Sequence, residues 1–129
     1  MFIQKIAPII SIFATSLPFA MADTCSVEAR VSSTFAGSSE SLSVFLGDGS
    51  KLTFDHDNPV CDKNVLRTGD GGNLDGDGSL AHPVAITTEC DEGTIKSCKA
   101  DYGTQKGIEG GLGDKSGQNY HMCTVTFDC

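Results

Sequence analysis

The sequence predicts an all-β fold, a small antiparallel β-sandwich or barrel stapled by three disulfides. Three observations lead there. Apolar and polar residues alternate over 27–31 and again over 123–127, the two-residue period of strands with one buried face. Glycine-rich links, with 15 Gly in 129 residues, separate the extended runs, and no amphipathic helix, heptad pattern or internal repeat of useful length interrupts them. Six cysteines, Cys25, Cys61, Cys90, Cys98, Cys123 and Cys129, all follow the N-terminal apolar segment. In an oxidising compartment an even set of this kind forms disulfides.

The chain opens on that apolar segment. Lys5 supplies a positive start, 6–19 an apolar run broken by Pro8 and Pro18, and Ala20-Met21-Ala22 a small-x-small cleavage site. Residues 1–22 are therefore expected to be a secretory signal peptide, too short and too interrupted for a membrane anchor. What remains, residues 23–129, is the length of a single secreted β domain.

Within that domain, Val27, Ala29 and Val31 alternate with Glu28, Arg30 and Ser32 in the first strand, which Phe35 would extend. Residues 36–39 are read as a flexible turn. Runs 41–46 and 51–54 follow, and the Gly47-Asp48-Gly49-Ser50 link between them suits a hairpin. Pro59 ends any ladder there. Lys63 to Arg67 is expected to form at most a short helical turn, and 68–79, dense in Gly and Asp, an exposed loop. Val84 to Thr88 and Thr94 to Ala100 are strands about an Asp91-Glu92-Gly93 turn, and 103–117 is a second glycine-rich loop before the closing strand. Five to seven strands result.

The closing strand constrains the disulfides. Cys123 and Cys129 are six residues apart, about 20 Å in extended chain at roughly 3.3 Å per residue, against the 4.4–6.8 Å that a disulfide spans between Cα atoms. They are expected to take different partners. A hairpin at 91–93 would make Cys90 and Cys98 a local pair, although the sequence leaves the 15 possible connectivities of six cysteines open. The irregular spacing, with no C-x-x-C, argues against zinc.

Charge and motif narrow the chemistry. Residues 23–129 carry 8 basic against 17 acidic side chains, a net charge of −9 with no basic cluster, which argues against binding nucleic acid or an anionic membrane. Asn73, Asp75, Asp77 and Gly78 copy the opening of a calcium loop, and Asp70 would add an oxygen. Position twelve is Val84 instead of the bidentate Glu, and no exit helix follows. Asp55 and Asp57 form a weaker pair still. His56, His82 and His121, with Glu89, Glu92 or Glu109 and Arg30 or Arg67, contain the residue types of a small ribonuclease-like site, but no spacing joins them. Serine nucleophile elbows, H-E-x-x-H motifs and P-loops are missing. The expectation is no enzyme, no cofactor and no metal.

A signal peptide, six scattered cysteines, an acidic glycine-rich composition and a last strand reaching Cys129 together resemble the small secreted cysteine-rich effectors of plant-pathogenic fungi, including the secreted-in-xylem group. The resemblance spans the chain and rests on architecture, so it transfers no functional residue. It implies a non-enzymatic virulence protein in the host apoplast or xylem, with later uptake into host cells, that binds a host plant protein or a co-secreted effector and is seen by plant immunity. A secreted antifungal or killer-type toxin is the alternative, against which the acidic charge counts where such toxins act on anionic membranes. A ribonuclease-like enzyme is a third.

Overall fold

The structure is a computed structural model that describes residues 23–34, 37–54, 58–68, 73–76, 78–117 and 119–129. The expected signal peptide, Phe35, Asp55, His56, Asp57, Asp70 and Asp77 lie outside them. Ten strands run β1 (Thr24–Thr34), β2 (Gly37–Phe45), β3 (Lys51–Phe54), β4 (Lys63–Leu66), β5 (Asn73–Asp75), β6 (Val84–Asp91), β7 (Thr94–Tyr102), β8 (Gln105–Glu109), β9 (Gly111–Ser116) and β10 (Asn119–Asp128). They form two antiparallel sheets, one ordered β5-β3-β2-β1-β10-β9 and the other β4-β6-β7-β8. The sheets face each other as a sandwich and close no barrel.

Alternation puts the core between them. On the larger sheet Val27 and Ala29 of β1, Leu42 and Val44 of β2, Leu52 and Phe54 of β3, and Cys123, Val125 and Phe127 of β10 point inward. The smaller sheet answers with Leu66, Val84, Ile86, Ala100 and Tyr102. Val60 in the connection before β4 is also fully buried, its amide donating to Glu40 Oε1 at 2.9 Å.

Three disulfides tie this frame: Cys25–Cys129 across the ends of β1 and β10, Cys61–Cys90 from the β3–β4 connection to β6, and Cys98–Cys123 from β7 to β10 across the core, with Cα separations of 5.8, 5.5 and 6.2 Å. Cys123 and Cys129 take different partners, as the length of an extended strand requires. The expected Cys90–Cys98 pair does not form. Register sets Cys98 opposite Thr88 and Cys90 opposite Ile95, with an irregularity between Glu89 and Cys90. The two cysteines are therefore offset by two residues of β6, about 6.6 Å along the strand in addition to the gap between strands.

Four further expectations are corrected. Gly37 to Ser39 belong to β2, paired with Ser32 to Thr34, so the expected turn residues extend a hairpin. Lys63 to Leu66 is strand β4, its Asn64 buried because the side-chain amide donates to Pro59 O at 3.1 Å. The first glycine-rich loop contains β5, which pairs with β3 through Leu52↔Leu74. The second contains β8 and β9, which pair with β7 and β10. Segments β5, β8 and β9, whose own side chains carry little apolar signal, are recruited by the exposed hydrogen-bonding edge of an existing strand, whereas β4 also contributes Leu66 to the core.

Gly110 is the joint between the sheets. It alone separates β8 in one from β9 in the other, and its amide donates to Cys98 O at 2.9 Å. A Cβ there would lie 2.9 Å from both Cys123 Sγ and Thr124 O, and would also strike Cys98 Sγ. Only glycine lets the crossing chain lie on the disulfide that joins the sheets.

Candidate functional site: a groove at the end of the sandwich

At one end of the sandwich, pieces far apart in sequence converge. Asp23 precedes β1 and Cys129 follows β10; the Cys129 amide donates to Asp23 O at 2.9 Å, beside the Cys25–Cys129 disulfide. The β2–β3 turn arrives next to them, closed by bonds from Leu46 N to Ser50 O at 2.8 Å and from Gly49 N to Leu46 O at 3.0 Å. Within that turn Asp48 Oδ1 accepts from Ser50 N at 2.8 Å, and hydrogen bonding by Ser50 holds the Asp48 carboxyl below its ordinary value. Ser50 Oγ in turn accepts from Gly78 N at 2.9 Å, which brings the segment before β6 against the turn.

The β7–β8 turn supplies the other wall. Gln105 acts as a short surrogate strand: its Nε2 donates to Asp128 O at 2.7 Å, and its Oε1 accepts from Asp128 N at 2.9 Å. Tyr102, almost wholly buried, stacks on Phe127 with centroids 4.7 Å apart and meets the His82 ring edge-on at 5.5 Å. Between these walls runs a two-lobed groove. The larger lobe, about 530 Å³, is mainly apolar, with Ala81, His82, Tyr102 and Gly103 along it and Asp128 at its margin. The smaller, about 140 Å³, lies between Asp23, Asp48 and Gly78, and the two share Ala81, Tyr102 and Cys129.

The residues considered for chemistry are dispersed. His82 lies on the groove. His121 stands on the inward-facing side of β10, two residues before Cys123, with Nδ1 buried and without a hydrogen-bond partner among the described residues. Arg30 is on the opposite, outer side, where it pairs with Asp114, contacts Glu28 Oε1 at 3.4 Å and reaches Met122 Sδ at 3.1 Å. His121 and Arg30 thus point from opposite faces of one sheet. Glu89 and Glu109 line a separate depression of about 280 Å³ on the smaller sheet, with Lys99 between them. Glu92 occupies a left-handed turn position (φ 54°) beside Gly93, and Arg67 is exposed after β4. Asp75 lies in β5, and no three His, Cys, Asp or Glu side chains converge as a metal set among the described residues.

Tyr102, Gln105, Asp48 and Asp128 were not singled out by the sequence as site residues. Tyr102 had a signal, since Cys98, Ala100 and Tyr102 continue one alternation past the expected strand end. Gln105 and the aspartates had none, because what matters about them is which other segment they meet.

The fold and groove define the class: a cysteine-rich, disulfide-stapled β-sandwich with a cleft at the end where β1 begins and β10 finishes. Comparison with protein-family models, curated protein sequences and solved structures finds no match to this chain. No helix among the described residues is long and apolar enough to cross a membrane.

Proposed function

We propose that this chain is a secreted virulence effector of a plant-pathogenic fungus that acts without catalysis, by binding a host plant protein or a co-secreted effector in the apoplast or xylem. The observation that carries the reading is the end groove, walled by three separate connections that the Gly78–Ser50 hydrogen bond and the Gln105 bridge fasten beside the Cys25–Cys129 disulfide. A cleft whose walls are ordered before binding loses little conformational entropy when a partner docks. Disulfide stapling of a small β domain also suits a protease-rich extracellular setting. Two side chains of the enzyme alternative, His121 and Arg30, lie by contrast on opposite faces of one sheet.

The test is affinity capture with the tagged secreted protein from infected and uninfected plant tissue, read by mass spectrometry. Support is a host or co-secreted protein recovered reproducibly and shown to reassemble from purified components. Failure to recover any such partner under crosslinking overturns the binding reading and moves attention to growth-inhibition and RNA-cleavage assays.

A further inference from the structure

We infer that the end groove receives a lysine or arginine side chain of a partner protein, its aliphatic stem along Ala81, Tyr102 and Gly103 and its cationic head between Asp23 and Asp48. The inference deepens the binding function proposed above and rests on it. Shape and charge support it separately. The larger lobe is mainly apolar, yet it opens onto carboxylates, the pairing that a long hydrocarbon stem with a charged tip satisfies and that a bare metal ion or a wholly apolar group would not.

Charge complementarity selects the partner. No lysine or arginine lines either lobe, and neither Asp23 nor Asp48 belongs to an ion pair among the described residues, where Arg30 forms the ion pairs. The depression on the smaller sheet differs, because Lys99 lies between its two glutamates and supplies a countercharge. Cleavage after Ala22 would add one ammonium at Asp23 and leave the carboxylates in excess. The acidic domain as a whole, with 17 acidic against 8 basic residues, would draw a basic partner toward this end. His82 is the groove's one other titratable base, and it faces the apolar lobe.

The test is an amide-shift titration of the isotopically labelled secreted protein with three capped tripeptides, Ala-Lys-Ala, Ala-norleucine-Ala and Ala-Glu-Ala. The lysine peptide should shift the amides of Asp48, Gly78, Gly103 and Thr104, with the norleucine peptide about fivefold weaker, as expected for exposed ion pairs. The glutamate peptide should produce no shifts there. The double variant Asp23→Asn/Asp48→Asn, folded by its own spectrum, should lose the preference for lysine over norleucine. Glu89→Gln/Glu109→Gln should keep it.

Equal binding of lysine and norleucine, no groove shifts at about 10 mM peptide, where weak millimolar binding would register, or an unaffected double Asn variant would each overturn the inference. The two proposals also separate. A captured partner held equally well by the double Asn variant defeats the groove assignment and leaves the binding function standing, whereas lysine-selective shifts in a protein that captures no partner do the reverse.

Discussion

At Gly110 a single missing side chain decides whether the two sheets can be joined where they are. Any Cβ would press on the Cys98–Cys123 disulfide and on Thr124 O, contacts too close for a neighbour held by a covalent bridge to relieve. Gly110→Ala is expected to lower stability by about 1–3 kcal/mol through overpacking, read as a fall in Tm by thermal unfolding; an unchanged Tm would mean that the crossing strand has room to move. Asp48 gives a residue-scale prediction in pH. Its folded carboxyl lies below the ordinary value of 3.8 because Ser50 donates to it, so the folded state holds the proton less tightly than the unfolded chain. Stability from this group is therefore present above about 3.8, the unfolded value, and is lost as pH falls through the lower folded value. Asp48→Asn should unfold with a shallower acid limb than the parent, compared by denaturant titration at pH 5 and below. An equally steep limb would place the acid sensitivity elsewhere.

Elements differ in what holds them. β1, β2, β3, β6, β7 and β10 have neighbours on both sides and an apolar face, whereas β5 and β9 bound one sheet and β4 and β8 the other. Amide exchange should be slowest in β1 and β10 and markedly faster in β5 and β9, since edge strands can open without breaching the core; uniform protection across the larger sheet would contradict this. Gln105, the first residue of β8, substitutes for a strand beside Asp128, beyond the Thr124↔Gly111 pair where β9 stops accompanying β10. Removing its two bonds to Asp128 with Gln105→Ala should destabilise by about 1 kcal/mol, because the groups it leaves are exposed and water replaces it. The same change should speed exchange at Asp128 N, and no change there would remove Gln105 from the groove wall.

For the whole molecule the disulfides set the scale of stability. The bridges close separations of 104, 29 and 25 residues, which in the chain-entropy account corresponds to about 4.7, 3.6 and 3.5 kcal/mol. That is large against the roughly 5–15 kcal/mol net stability of a small domain. Replacing Cys25 and Cys129 together, or Cys98 and Cys123 together, by alanine should each cost about 2–5 kcal/mol, measured by denaturant unfolding. Full reduction should abolish the cooperative transition; a reduced protein with the parent's Tm would show that the two-sheet core suffices. The Cys98–Cys123 pair adds a second effect, since it lies under Gly110 and joins the sheets, whereas Cys25–Cys129 secures the end that carries the groove.

The amino-acid sequence by itself determined the class of fold, the strands with a strong apolar face and the separate fates of Cys123 and Cys129. Each of these follows from local chemistry: side chains alternate with period two, glycine turns suit hairpins, and an extended strand cannot fold back over six residues. The tertiary structure alone decided strands β4, β5, β8 and β9, because segments such as Gly111–Ser116 become strands through the backbone edge of a neighbour and not through their own side chains. It decided the partner of Cys98 as well, through a register that no count of intervening residues contains. The groove belongs to the same category. Asp23, Asp48 and Gly78 line one lobe and Gln105 and Asp128 the other, with Tyr102 in both, because β1 and β10 are antiparallel neighbours and the first residues of β1 lie beside the last of β10.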